Sequence, residues 1–344
     1  MINSQHQFID RSTGEVKTEQ LFGDPIVRTI YSDIREKSPL LYRAVTGKRM
    51  SALLGFLNYD FSLTPGLSGN RAFMRNAGID FSECLDSPSE LNTPRKVFER
   101  KIRYWKCRPM PDDMASVVSP ADARVLIGSF KETSHLYIKG KFFDYGELLG
   151  NDKQEWLNAF NDGDFAIFRL TPDKYHYNHT PVAGQVEDFY EIDGVYHSCN
   201  PAAVVTVVTP YSKNTRTVTI INTDVPNGSN VGLVAMVEVT ALMIGEVVQC
   251  YSDREYANPR PVQRGMFLER GCPKSLYRPG SSTDVLIFEK DRIEFDSDIR
   301  ENLNRVSAQS RFSRGFGRPL LETEVRVRSQ IAVRNTIDGK CSGD

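Results

Sequence analysis

The sequence has no run of about 18 or more uncharged apolar residues, the minimum for a membrane-spanning helix. The nearest approach, VGLVAMVEVTALMIGEVV at 231–248, has Glu238 in its middle and is rich in valine and threonine, so it reads as buried strands. Cysteine is sparse: six residues, at 84, 107, 199, 250, 272 and 341, form no C-x-x-C pair and no zinc or disulfide spacing. That points to a reducing compartment. Net charge is almost absent, 43 basic against 44 acidic residues, so no overall field favours nucleic acid. The first twenty residues, MINSQHQFIDRSTGEVKTEQ, lack the apolar core of a secretory signal and show no other pattern. There is no internal repeat and no low-complexity segment. What is present, over 344 residues, is enough apolar material for a sizeable globular core.

Residues 23–60 space their apolar side chains by threes and fours, with Pro39 and Gly47 as breaks, which predicts short amphipathic helices. Their apolar faces suit packing on the domain, or, with Arg28, Arg35, Arg43, Lys48 and Arg49 nearby, contact with an anionic membrane surface. Residues 63–94 are loop-rich and mark an internal boundary. From about Ala115 the pattern changes to short alternating strands such as FAIFRL and RTVTIINT, interrupted by a helical stretch, YGELLGNDKQEWLNAF. Strands and crossover helices do not alternate regularly, which disfavours a doubly wound parallel sheet. The expected fold is α+β: a β-rich catalytic core over 95–344 behind an N-terminal helical and loop region over 1–94, a possible membrane-docking element.

Three polar segments interrupt this core. Two of only five histidines, His176 and His179, sit three apart in TPDKYHYNHTPVAGQV. A metal pair is conceivable, but no acid or cysteine cluster offers a clear third ligand and the flanking prolines argue against a zincin-type helix, so no metal is expected. Asp122 lies in VVSPADARVLIG, and GSST at 280–283 runs straight into the apolar DVLIFE. Each alone is an ordinary turn. Together they supply carboxylate, imidazole and hydroxyl, the components of a nucleophilic triad.

The order of these segments resembles the pyruvoyl-dependent phosphatidylserine decarboxylase proenzyme family, from about Val97 to Ala332. In VFERKIRYWKCRP, Phe98, Arg100, Arg108 and Pro109 fall on an F-x-R…R-P pattern. SPAD and IKGKFFDYGELLG follow, and then Tyr175, His176, His179, Pro181 and Gly184 match Y-H-x-x-H-x-P-x-x-G. VEVTALMIGEV is similar to a strand pair that normally reads V-G-A-x-x-V-G. RGCPKSLYRPGSST aligns without a gap to K-G-x-E-x-G-x-F-x-x-G-G-S-T, and LETEVRVRSQIA resembles the closing E-T-x-V-x-V-G segment.

The resemblance implies autocatalytic cleavage between Ser281 and Ser282 into a β fragment, 1–281, and an α fragment, 282–344. Ser282 attacks the Ser281 carbonyl with His179 as base and Asp122 orienting it, and is converted to a covalent pyruvoyl group, the only cofactor. The pyruvoyl carbonyl would condense with the substrate amine, and His176 would return a proton after carbon dioxide leaves. The implied reaction turns phosphatidylserine into phosphatidylethanolamine on a phospholipid surface. The resemblance also implies a homodimer of αβ units, cytoplasmic and peripheral on the inner face of a membrane. Ser281 stands where glycine is usual, Cys272 and Pro273 replace acidic residues, and Ser275 replaces a common glycine. These departures keep two alternatives open: a decarboxylase of a free aromatic amino acid, and an uncleaved lipid-binding pseudoenzyme.

Overall fold

The computed structural model describes residues 5–21, 78–131, 142–205, 210–241, 246–280, 282–317 and 319–336. The helices predicted over 23–60 lie outside these residues, as does Ser281. The rest is a strand-rich mixture of sheets and short helices, in keeping with the expected β-rich α+β core. No helix among the described residues is long and apolar enough to cross a membrane.

Strands β1 (Gln7–Asp10) and β2 (Val16–Thr18) form a hairpin, and β3 (Ser116–Val118) and β4 (Ala123–Ser129) follow in the core. Next come β5 (Asp164–Leu170), β6 (Tyr177–His179), β7 (Gly184–Ile192), β8 (Arg216–Asn222) and β9 (Leu233–Thr240). Strands β10 (Val247–Gln249), β11 (Phe267–Leu268), β12 (Pro273–Tyr277) and β13 (Ser282–Phe288) precede β14 (Ile293–Phe295), β15 (Glu322–Val325) and β16 (Gln330–Arg334). A ten-stranded sheet runs β11-β7-β8-β9-β13-β5-β4-β15-β1-β2, antiparallel except where β1 lies parallel to β15. Two three-stranded sheets, β10-β12-β6 and β14-β16-β3, complete the described strands.

Apolar residues with period two create both faces of the large sheet. Leu286, Phe288, Met236 and Phe168 enter one core, while Val285, Ile287, Val237 and Ile167 enter another. Burial on both faces explains why DVLIFE and LVAMVEVT read as nearly unbroken apolar runs rather than alternations. β1 and β2 form where the sequence shows no pattern, because strands of four and three residues are too short to display a period; β1 gains its place by pairing with β15, and β2 by pairing with β1.

Register gathers the polar segments at one end of the sheet. Ser282, the first residue of β13, pairs with Leu170 at the end of β5 and Thr240 at the end of β9. β4 begins beside that end, with Arg124 opposite Arg169, and β15 finishes there, with Val325 opposite Ala123. The connections containing Asp122, residues 171–176 and residues 326–329 therefore all leave the sheet where Ser282 enters it.

On the other face, a buried ionic network ties down the N-terminal segment. Arg169 donates to Glu322 at 2.9 and 2.6 Å and to Glu19 at 2.9 and 2.7 Å. Arg124 also pairs with Glu19, and His6 Nε2 lies 2.7 Å from Glu322. Burial opposes charge on both glutamates, but Arg169 outweighs it and holds both carboxyls well below their usual range. His6, Glu19 and Glu322 approach closely enough to suggest a cation site. Two guanidiniums already neutralise the two carboxylates, which identifies the group as an ion network. Arg169→Leu is expected to cost about 3–5 kcal/mol in urea unfolding by leaving buried carboxylates unpaired. Arg300→Ala, at the half-exposed Arg300–Glu294 pair, should cost less than about 1 kcal/mol.

Candidate active site

Ser282 is 1% exposed, and its Oγ has no hydrogen-bond partner. A buried hydroxyl left unpaired costs about 1–3 kcal/mol. His176 follows β5 in the connection to β6, and its carbonyl accepts from Tyr277 N at 3.1 Å, fixing it to the end of β12. Its ring stacks on Phe98, centroids 3.5 Å apart. Phe98 ends helix α1 (Pro94–Phe98), which begins with Pro94 behind a Thr93 cap that accepts from Lys96 N. Neither nitrogen of His176 has a hydrogen-bond partner in normal geometry. Burial, reinforced by the Arg100 charge, pushes the imidazole down to about 3.

His179 ends β6, where its N–H donates to the Pro120 carbonyl at 2.7 Å and so abuts the turn that contains Asp122. Its Nδ1 lies 2.9 Å from the Gly271 carbonyl. A carbonyl only accepts, so Nδ1 holds the proton and Nε2 is the acceptor. The Tyr175 hydroxyl donates to Nε2 at 3.0 Å and stands 2.7 Å from the Tyr256 hydroxyl. Gly271 has φ +74°, a left-handed conformation that favours glycine and turns its carbonyl to this task. Tyr104, from helix α2 (Tyr104–Cys107), meets the His179 ring edge-on at 4.7 Å. Burial pushes His179 down to about 3 as well.

Asp122 accepts a two-pronged contact from Arg108, Nε at 3.0 Å and Nη2 at 2.8 Å, and the Val327 N–H at 2.8 Å. Burial opposes its charge, but Arg108 outweighs burial, so the carboxyl lies below its ordinary range and is ionised. Arg108 in turn is held by Glu83 at 2.9 Å. The structure thus gathers Asp122, His176, His179 and Ser282 at one end of the large sheet. It does not join Asp122 to His179 by a hydrogen bond: the carboxylate is engaged by Arg108 and Val327, and the imidazole by Gly271 and Tyr175. A buried carboxylate is better matched by a guanidinium fork than by a neutral imidazole.

With these positions known, comparison with other proteins gives them a context. The family model for phosphatidylserine decarboxylase matches residues 95–313. The chain belongs to that family. It is similar to the phosphatidylserine decarboxylase proenzyme of Fusobacterium nucleatum, 29% identical over 313 residues that cover 90% of this chain and 97% of the relative. The proenzyme of Clostridium tetani is 28% identical over 294 residues, 85% of this chain and 91% of the relative. Phosphatidylserine decarboxylase proenzyme 2 of Oryza sativa is 33% identical over 233 residues, 66% of this chain but 34% of the longer relative.

Two features of the site were not legible in the sequence. Tyr256 completes the chain, accepting from the Ile102 N–H and donating to Tyr175, and an isolated loop tyrosine gives no signal of that. A buried acid, Asp284, follows Ser282 by two residues. A charge inside a buried apolar strand was the available signal.

The histidine environments predict an acid sensitivity. Both imidazoles stay neutral in the folded chain to about pH 3, whereas unfolded histidine protonates near 6.5. As pH falls from 6.5 towards 3, the unfolded state binds protons that the folded state refuses, and stability is lost across that window. The expected slope is about 1.4 kcal/mol per pH unit for each histidine. His176→Gln should remove about one histidine's share of the slope between about pH 6 and 4 in urea titrations, and an unchanged slope would mean that His176 is charged when folded.

Proposed function

We propose that this chain is a precursor that cuts itself between Ser281 and Ser282 and keeps both fragments as one enzyme. As a phosphatidylserine decarboxylase proenzyme, it converts phosphatidylserine to phosphatidylethanolamine with loss of carbon dioxide. The observation behind the cleavage reading is the buried, unpartnered Oγ of Ser282 at the sheet end where His176, His179 and Asp122 gather. That hydroxyl attacks the Ser281 carbonyl carbon, the amide becomes an ester, and elimination and hydrolysis follow.

His179 is suited to be the base because its Nδ1 proton is held by Gly271, leaving Nε2 to accept. Tyr175 must exchange its hydrogen bond for Nε2 to do so. Asp122, kept ionised by Arg108, stabilises the imidazolium through space rather than by direct contact. The orphaned Ser282 hydroxyl also fits the precursor of the pyruvoyl group on which this family depends. Such a group supplies an electrophilic carbonyl that takes the substrate amine and accepts the electron pair left by carbon dioxide. His176, stacked on Phe98, would return a proton to the substrate carbon as an imidazolium, which requires the substrate's carboxylate to raise its proton affinity first.

Residues 95–344 form the catalytic part, and the apolar and basic residues between Ile26 and Phe56 supply the docking element on a phospholipid surface. Homodimeric αβ units on the inner face of a membrane are the assembly this reading favours. Phosphatidylserine in detergent micelles should release carbon dioxide, whereas free tryptophan should not. Intact-mass measurement should show wild-type fragments 1–281 and 282–344, the second with a blocked amino terminus, and Ser282→Ala as one full-length inactive species. Wild-type protein that stays full length while binding lipid would overturn self-cleavage in favour of a binding module.

A further inference from the structure

Arg328 lies in the connection from β15 to β16, one residue after Val327, whose N–H holds Asp122. Its φ is +70°, a left-handed conformation that glycine adopts freely and arginine only under strain. It also stands on the glycine of the closing E-T-x-V-x-V-G segment, so this chain keeps a glycine's backbone and hangs a guanidinium on it. The guanidinium sits over the Tyr104 ring, 5.1 Å from its centroid, and Tyr104 in turn meets the His179 ring. Nη1 donates to the Tyr104 carbonyl at 3.1 Å, whereas Nε has no hydrogen-bond partner.

Among the described residues no carboxylate answers this charge. The titratable groups that face Arg328 are Tyr104, Cys272, Tyr175 and Cys107. Burial pushes each of them up, so all four are neutral at neutral pH. The charged neighbour is a second guanidinium, Arg270, and the two repel each other. Arg270 is buried, spends its Nη donors on the carbonyls of Pro111, Asp113 and Ser116, and also leaves Nε without a partner. Asp113 and Asp112 offset its charge through space without pairing with it. It precedes Gly271, where an added Cβ would come within 3.1 Å of Arg328 Nε, so both cations border the residue that holds His179. Arg108 and Lys274, by contrast, each contact a carboxylate. Two neighbouring, desolvated guanidiniums without a carboxylate are costly unless an anion joins them.

We propose that Arg328, with the charge of Arg270 behind it, binds the phosphodiester of the phosphatidylserine headgroup. This deepens the decarboxylase reading and rests on it. The substrate carries two anions. Its carboxylate leaves as carbon dioxide, and a cation that held it would stabilise the ground state and oppose the step. Its phosphodiester passes unchanged from substrate to product, and only a methylene and an ester oxygen separate phosphorus from the carbon that loses carbon dioxide. Arg328 is half-buried and commits only Nη1 to a protein acceptor, which leaves its other N–H groups for phosphate oxygens. A free amino acid has no such group, so the same contact selects the lipid over serine or tryptophan.

Arg328→Gly supplies the residue that suits this backbone and removes the guanidinium. The substrate for the test is soluble dihexanoyl phosphatidylserine, kept below the concentration at which it forms micelles so that no lipid surface contributes. Cleaved Arg328→Gly should show a KM raised about 10- to 100-fold, the usual loss for a hydrogen bond to a charged group, with kcat within about twofold because the phosphodiester is held alike before and after the reaction. Arg328→Gln, which keeps the strained backbone but not the charge, should show the same rise. Glycerophosphoethanolamine carries the phosphodiester and should inhibit the wild type at least about 10-fold better than Arg328→Gly, whereas ethanolamine should not tell them apart. A wild-type KM in either variant refutes the proposal. So does an unchanged KM with weakened binding of inorganic phosphate, which would assign the site to free phosphate. Should the variants fail to cleave, calorimetry of glycerophosphoethanolamine on the uncleaved Ser282→Ala chain decides. Binding that Arg328→Gly weakens supports the proposal, and binding that is unchanged, or absent from Ser282→Ala itself, refutes it. Wild-type protein that cleaves and leaves phosphatidylserine intact would instead defeat the decarboxylase reading.

Discussion

Strand β13 is paired along its whole length on both sides, with β5 and with β9, from Ser282 to Phe288. The rest of the site depends on that constraint. Residue 282 is the first of the strand, so breaking the bond before it removes no part of either ladder. Leu286 and Phe288 anchor the strand in one core and Val285 and Ile287 in the other. A chain end created by cleavage there would therefore be held by the same interactions that hold the intact chain. Self-cleavage in the middle of a fold is tolerable only at such a place, where backbone pairing rather than chain continuity supplies the position.

Around this fixed point the fold arranges groups that come from distant parts of the chain. The turn with Asp122, the connection with His176 and the strand ending in His179 meet because β4 and β5 reach the sheet end at which β13 begins. Their environments then differentiate them. Both histidines are sealed from water and remain neutral in the folded chain. Arg108 bridges Asp122 to Glu83, so the carboxylate is kept ionised and its position is set from outside the strands of the large sheet.

Much of this was legible in the sequence, for definable reasons. The strand-rich core follows from period-two patterning and from the lack of regular crossover helices. Asp122, His176, His179 and Ser282 stand out through the order and spacing of their segments. The partners of these residues were not legible. Arg108 reaches Asp122 across 14 positions and Gly271 reaches His179 across 92, separations at which spacing has no meaning. A triad reading accordingly anticipates a direct contact between Asp122 and His179, where the fold supplies a guanidinium to one and a carbonyl to the other. Asp284 was hidden for a different reason. A charge inside an apolar run hints at burial, but only the packing of β13 between two cores shows that it has no wet face.

The contrast between Asp122 and Asp284 shows how one fold can keep one buried carboxyl ionised and another neutral. Both are buried aspartates, and burial by itself would neutralise each. Arg108 reverses that for Asp122, while Glu238, already matched by Lys274, reinforces it for Asp284. The distinction is set by strand register. β9 and β13 place Glu238 opposite Asp284, and Thr240 opposite Ser282. A slip of one residue would turn Ser282 and Asp284 to the face lined by Val285 and Ile287, away from Tyr277. The apolar residues that lock the register therefore also decide which carboxyl keeps its proton, and so packing and acid–base chemistry are specified by the same alternation of side chains along β13.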